Sequence, residues 1–429
     1  MSFMRNSITY HHAFIRYLLM LSVAGFIMHA LVAVACSIVP QSDALDYHNH
    51  ALRIAVNHEY TVNDLPTAYR PIGFPAILSI AYMVSPSVNA GFILQSLLIS
   101  ITSFCIGLIV LDLGVSQRSA LLASCLYMLL PMSWIQSMTL MSEPLAISTM
   151  MIGIFLRIHH RHLAASGLEG MLWGLAILAR PIMLFCGIGL FLYDVMKSNR
   201  SMPHAFTYLT CMILTLMPWM IRNANVMGSP VIASNTGINL YIGNNPHANG
   251  SYKTIPEMSM LDSLPEMQSN AMAMSKAMNH VIEHPIQTIM LIPKKIAYLF
   301  SSDAYLPLQL IHTTDISYRD RLLQLPSWIY LLIIPGYMVL LIGMSNINVF
   351  IENRHATFIL VLFLCMIFPC IVFFGSPRYH EPMIPFLLIA SFVGYEQRGN
   401  LIGHGKVIPF ALIIIWALEI SMILFHVYK

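Results

Sequence analysis

The chain has 429 residues, 57% of them hydrophobic and 10% charged, against roughly 45–50% and about 25% in an ordinary soluble domain. A soluble globule so poor in charge would expose large apolar patches and aggregate, so the composition, with a mean hydropathy of +0.70, excludes a cytoplasmic enzyme or a disordered scaffold and indicates an all-α polytopic membrane protein. The net charge of +3, from 22 basic and 19 acidic residues, is too near balance to suggest a nucleic-acid partner.

Apolar runs approaching the ~20 residues needed to cross a bilayer occur at 17–39, 91–113, 119–138, 143–157, 164–179, 181–196, 204–221, 327–346, 356–374, 380–395 and 406–426. These predict about 11 transmembrane helices. The first run ends in Leu-Val-Ala-Val-Ala-Cys, 31–36, which loosely suggests a cleavage site, but it is longer than a signal core and reads as a retained anchor. A further run, 71–84, opens with two prolines in five positions and suits an interfacial or re-entrant helix. With the N-terminus in the cytoplasm and 71–84 not crossing, cytoplasmic segments hold Arg5, Arg16, Arg118, Arg157, Arg161, Lys197, Arg200, Arg354, Arg398 and Lys406. The short external hairpins and the C-terminus hold only Arg180, Arg378 and Lys429. A crossing at 71–84 would invert every later loop and erase this positive-inside bias.

The chain thus reads as a single membrane domain, 1–429, with two long external loops, 40–90 and 222–326. The second contains a stretch from Met267 to Phe300 with apolar residues at helical spacing and basic residues Lys276, Lys294 and Lys295. That pattern predicts a helix on the membrane surface. The seven cysteines fall mostly in apolar runs with no C-x-x-C pair and read as small buried hydrophobes rather than disulfide partners.

Charges beside spans are costly unless paired or facing a polar cavity. On the external side these are the acids Asp43, Asp46 and Glu143 and the arginines Arg70, Arg180, Arg222 and Arg378. Salt bridges and snorkelling at helix ends are one account of them. Arginines gathered at turns such as Trp-Met-Ile-Arg-Asn, Arg-Pro and Pro-Arg-Tyr also suit an anion site, because the planar guanidinium fork matches phosphate. A lipid phosphate in the external leaflet fits. Sugar transfer from such a phosphate needs a base for the acceptor hydroxyl and cations for the departing phosphate. Direct displacement at the anomeric carbon would invert its configuration.

Seven pieces in register carry a resemblance: SDALDYHNHAL (42–52), YRPIGFPAIL (69–78), MTLMSEPLA (138–146), LWGLAILARP (172–181), 218–252 beginning PWMIRN, HPIQTIMLIPKK (284–295) and RYHEPMIP (378–385). On these the sequence resembles the membrane glycosyltransferases of the GT-C fold, in the branch of lipid A aminoarabinose transferases and protein O-mannosyltransferases. The resemblance implies a polyprenyl-phosphate sugar donor, a lipid, glycan or protein acceptor, and a catalytic site at the external face. It makes Asp43 the base and Glu143 a second acid. It makes Arg70, Arg222 and Arg378 binders of the donor phosphate, and Arg180 a recurring arginine of less defined role. Tyr47, Tyr69, Asn223, Asn244 and Tyr379 are assigned supporting roles. Departures are Ala44 where the mannosyltransferases carry Glu after the aspartate, Pro71-Ile72 in place of paired prolines, Glu for Asp at the second acid, and no large domain after the last span. They leave the sugar and the acceptor open.

The histidine groups Asp46-Tyr47-His48-Asn49-His50 and 159–162 lack zinc-ligand spacing, so no metal site and no obligatory cofactor is expected, with room left for a divalent cation. The expected location is a bacterial inner membrane with the site facing the periplasm. The competing readings are a transporter or flippase of lipid-linked sugars, and a membrane glycan polymerase or ligase. A transporter would show repeated halves, which the sequence lacks.

Overall fold

The computed structural model describes residues 12–160, 162–197, 201–253, 256–301, 334–353, 356–398, 413, 414 and 416. Part of the predicted span 327–346, most of 406–426, the end of the second long loop, Arg5, Arg161, Arg200, Arg354, Lys406, Lys429 and the side chain of Arg398 lie outside the described residues.

The described residues are helical apart from turns and one antiparallel pair, Thr61–Val62 with Leu65–Pro66. In order come α1 (His12–Cys36), α2 (Ser42–Asn57), α3 (Gly73–Val84), α4 (Val88–Asp112), α5 (Gln117–Leu129), α6 (Pro131–Ser137), α7 (Glu143–His159), α8 (Leu163–Ala179), α9 (Met183–Lys197) and α10 (Met202–Met227). The segment after α10 then holds α11 (Thr236–Gly243), α12 (Met258–Asp262), α13 (Glu266–Glu283) and α14 (Pro285–Leu299). Helices Ile334–Asn346, Val349–Glu352, Thr357–Val372 and Ile384–Arg398 follow.

Helix ends follow local chemistry. Ser87, Ser116 and His162 cap α4, α5 and α8 by accepting a backbone N–H with their side chains. Pro131 cannot continue α5, so the predicted span at 119–138 is bent by 55° between α5 and α6. Gly228 ends α10 at φ 74°, a left-handed cap that glycine adopts without strain.

Among the described residues, α1, α4 and α10 are long and apolar enough to cross a membrane unaided, and the bent α5–α6 pair is a fourth if taken as one span. Further apolar helices have 12 to 17 residues: α3, α8, Ile334–Asn346 and Thr357–Val372. The protein is an integral membrane protein. The outer face of α1 presents Tyr17, Met20, Ile27 and Leu31, as a helix does when lipid is its solvent.

Helix α3, at 12 residues, is about 18 Å long against a hydrocarbon core of about 30 Å. It folds back on α2 and touches α4 and α8. Its first residue, Gly73, lies so close to the end of α8 that a Cβ there would sit 2.4 Å from the Leu178 carbonyl carbon. That approach brings Arg70 and Arg180 to one place.

At the opposite end of the bundle Arg157 is buried. It donates to Glu169 (2.6 Å) and in fork geometry to Asp194 (2.8 and 2.9 Å). Arg157 is therefore a paired interior group joining α7, α8 and α9, and it drops out of the count of loop charges that orient the chain.

The predicted surface helix is broken at His284-Pro285 into α13 and α14. Ile282, Ile286, Ile289 and Met290 are exposed there, as a surface-lying helix requires. Lys295 departs from the expectation. It is fully buried and donates to Asn244 Oδ1 (3.0 Å) and the Ile371 carbonyl (3.1 Å).

Gly73→Val must push α3 off α8. Overpacking of this kind costs about 1–3 kcal/mol, read as a lowered melting temperature in detergent, whereas Gly114→Ala, where no atom lies within 4 Å of a Cβ, serves as the control with backbone strain but no clash.

Candidate functional site

Five segments meet at one end of the bundle. Asp43 and Asp46 lie on the first turns of α2, three residues apart and so on one face. Arg70 closes the loop before α3, Glu143 begins α7, Arg180 ends α8, and Arg378 sits in the short 3₁₀ turn Pro377–Tyr379.

Asp43 is shared by two guanidiniums. Its Oδ1 accepts from Arg70 Nη2 at 2.6 Å and its Oδ2 from Arg378 Nη1 at 2.6 Å. Arg70 also grips Asp46 through Nε (3.0 Å) and Nη2 (2.8 Å). Glu143, buried behind them, accepts from Arg378 Nε and forms an ion pair with Arg180. Three arginines thus face three carboxylates, and the ionic cluster is neutral. Each arginine keeps donors to spare, since a guanidinium has five N–H groups. Arg70 Nη1 and Arg378 Nη2 have no protein partner among the described residues.

Burial pushes the Asp43 carboxyl up, but the guanidiniums of Arg378 and Arg70 outweigh it, leaving the carboxyl below the usual range. Aromatic rings frame the charges. Arg70 lies over Tyr69 (5.3 Å) and Tyr47 (5.9 Å), and Arg180 over Tyr379 (5.9 Å).

The cluster forms part of the wall of a cavity of about 990 Å³. Its lining includes the apolar side chains of Phe92, Leu140, Leu184, Phe185, Met220 and Ile232. It also includes the polar, uncharged Asn235, Thr236, Asn239 and Asn270, from the packed helices α11 and α13 and the residue before α11. Among the described residues no group of three or more His, Cys, Asp or Glu side chains is arranged to hold a metal ion. Asp43, Asp46 and Glu143 all face guanidiniums instead, a donor set suited to an anion.

The structure therefore gathers Asp43, Glu143, Arg70, Arg180, Arg378, Tyr47, Tyr69 and Tyr379. It does not bring Arg222 to them. Arg222 Nη1 donates to the Thr67 carbonyl and Nη2 to the Tyr60 carbonyl, both at 2.8 Å, and its guanidinium stacks on Trp219 at 4.9 Å. Asn223 is buried and braces it, accepting from Arg222 and donating to the Val231 carbonyl. Asn244 is likewise buried and joins Lys295 to the Val372 carbonyl. These three residues hold backbone in place.

Sequence reasoning missed Glu266, the partner of that brace. It accepts from Thr67 Oγ1 (2.6 Å), Ala68 N (2.8 Å) and Ser234 Oγ, and so fastens the loop before α3 to the segment that follows α10. Its only local signal is an acid at a helix N-terminus. Tyr60, whose hydroxyl donates to the Arg70 carbonyl (2.8 Å), carries no signal at all.

Two predictions follow from this geometry. Since the folded Asp43 pKa lies below its unfolded value, its contribution is present above the ordinary carboxylate pKa of about 4 and is lost as pH falls through the folded value. Thermal stability in detergent should drop on acidification below that point, and Asp43→Asn should flatten the drop. Arg222→Ala should speed hydrogen exchange across Tyr60–Arg70 by tenfold or more, because bonds to a charged donor contribute ~1.5–3 kcal/mol. Arg378→Lys should leave that exchange unchanged.

No family model matches the sequence, and no curated protein matches it. Among solved structures, the fold is similar to the archaeal oligosaccharyltransferase AglB from Archaeoglobus fulgidus, in complex with an inhibitory peptide and a dolichol-phosphate, with 12% identity and a TM-score of 0.45. That match covers 94% of this chain and 54% of AglB, so the chain spans about half the length of that relative. It is also similar to ArnT from Cupriavidus metallidurans bound to undecaprenyl phosphate, with 12% identity, a TM-score of 0.44, and 89% of this chain and 77% of ArnT covered.

Proposed function

We propose that this protein transfers a sugar from a polyprenyl-phosphate donor to an acceptor hydroxyl at the external face of the membrane. The observation that carries the reading is the shared Asp43: a carboxylate held between two arginines with spare N–H groups, on the wall of a cavity that many apolar side chains also line.

Each element of the reaction has a candidate. The apolar wall, Phe92, Leu140, Leu184 and Phe185, suits the first isoprene units of a prenyl chain. The unpaired Nη groups of Arg70 and Arg378 suit the non-bridging phosphate oxygens, and Arg180 lies beside them through Glu143. An added phosphate anion offsets the positive field at Asp43, so its carboxylate recovers basicity when the donor is bound. Asp43 then takes the proton of the acceptor hydroxyl as that oxygen bonds to the anomeric carbon. The bond from the anomeric carbon to the phosphate oxygen breaks, and the electron pair leaves with the prenyl phosphate. The arginines stabilise the charge gained there. One displacement of this kind inverts the anomeric centre. Glu143 keeps Arg378 and Arg180 aligned and need not exchange a proton.

The test is transfer by the purified protein in lipid nanodiscs, using prenyl-phosphate donors and membrane lipid or glycan acceptors from the host. Asp43→Asn should lower turnover by ~10²–10⁴-fold while bare prenyl phosphate still binds. Arg70→Lys and Arg378→Lys should weaken prenyl-phosphate binding, since lysine lacks the fork. Unchanged turnover in Asp43→Asn, or no binding of prenyl phosphate to the native protein, would overturn the reading.

A further inference from the structure

The cavity has a wall that the transfer chemistry leaves unused. Helix α11 supplies Thr236 and Asn239, with Asn235 just before it, and α13 supplies Asn270 and Met274. The two helices touch closely at Gly237, where a Cβ would lie 2.1 Å from the Asn270 carbonyl oxygen. The Gly237 N–H donates to Asn270 Oδ1 at 2.6 Å. That bond sets which way the Asn270 amide faces: the oxygen is taken, and the NH₂ group is left with two donors. Asn235 and Asn239 have no side-chain partner among the described residues. Thr236 gives its O–H to the Ala233 carbonyl (3.3 Å) and keeps only acceptor capacity, so the unused donors along this wall belong to the three amides.

The charge distribution is equally specific. The ionisable Asp, Glu, Lys, Arg and His side chains that line the cavity are Asp43, Arg70, Arg180 and Arg378, all in the ionic cluster. The amide wall has none. A series of aromatic rings links it to the cluster: Tyr252 packs on Phe374 (5.4 Å) and Phe374 on Tyr379 (5.6 Å), next to Arg378. Rings of this kind pack against the C–H faces of a pyranose or furanose, while amides bond its hydroxyls.

We infer that this amide wall is a subsite for an uncharged, polyhydroxylated sugar ring, and that the protein selects neutral sugars over amino sugars. An ammonium group at this wall would give up its hydration for neutral amides alone and find no carboxylate among Asn235, Thr236, Asn239 and Asn270 to pair with. The inference rests on the transfer reading. It adds the class of sugar, and it runs against an aminoarabinose donor.

The experiment measures binding to the native protein in nanodiscs. The probes are bare prenyl phosphate, prenyl-phosphate glucose, galactose and arabinose, and prenyl-phosphate 4-amino-4-deoxyarabinose. At least one neutral sugar should raise affinity over bare prenyl phosphate, and the amino sugar should bind at least tenfold more weakly than that one. Asn239→Asp should narrow the gap at least threefold and leave bare prenyl phosphate unaffected. Asn239→Ala with Asn270→Ala identifies which ring uses the wall. Loss of the affinity gained from the donor's sugar assigns it to the donor. Loss of binding of a methyl glucoside, galactoside or arabinoside to the protein filled with bare prenyl phosphate assigns it to an acceptor glycan. If neither changes, or the amino sugar binds as well as the neutral ones, the inference fails even though the transfer reading stands. If bare prenyl phosphate itself does not bind, the transfer reading has failed first.

Discussion

The sharing of Asp43 between Arg70 and Arg378 governs the arrangement of this whole end of the bundle. Buried ions are tolerated only in good pairing geometry, and removal of one partner leaves an uncompensated charge. Here the partners come from opposite ends of the chain, since Arg378 reaches Asp43 across 335 positions and Glu143 across 235. The cluster can close only when the first loop, the starts and ends of α7 and α8, and the turn after Thr357–Val372 are all in place. Its neutrality, three cations against three anions, allows it to stand at the edge of an apolar bundle without a bound counter-ion.

A second ionic knot balances it. Arg157, Glu169 and Asp194 tie α7, α8 and α9 at the other end, with Arg157 also over the rings of Tyr208 and Phe358. Helices α7 and α8 run from one knot to the other, because Glu143 and Arg180 lie at one end and Arg157 and Glu169 towards the other. Apolar helix faces slide past one another at little cost, whereas a fork of hydrogen bonds at each end fixes both register and rotation. This explains how a bundle of rather short helices can hold side chains in a set geometry.

Much of this was legible in the sequence because charge in an apolar chain is conspicuous. Asp43, Glu143, Arg70, Arg180 and Arg378 stood out as unsupported ions, and the structure supports each with another of the set. Helix positions were equally readable, since hydrophobic runs and proline breaks mark them locally. Arg222 misled for a physical reason: the sequence shows an exposed-side arginine but cannot show that two backbone carbonyls, of Tyr60 and Thr67, are waiting for it. Lys295 misled in the same way, its acceptors being Asn244 and the carbonyl of Ile371. Glu266 was invisible because its partners are a backbone N–H and two hydroxyls spread over two loops. Ion-to-ion contacts leave a signature at both partners, and ion-to-backbone contacts leave it at only one.

That difference also separates the arginines by what they can do. A guanidinium is planar and its donors lie along distinct edges. Arg222 spends Nη1 on the Thr67 carbonyl and Asn223 Oδ1 and Nη2 on the Tyr60 carbonyl, which ties it to a fixed loop away from the ionic cluster. Arg70 turns Nε and Nη2 towards carboxylates and Arg378 turns Nε and Nη1, leaving an open Nη on each. A lysine in either place would be a single point of charge, neutralised by the carboxylate it faced. A forked cation can be held by an acid along one edge and still present donors of fixed direction along another, so a cluster that is electrically neutral keeps N–H groups to offer.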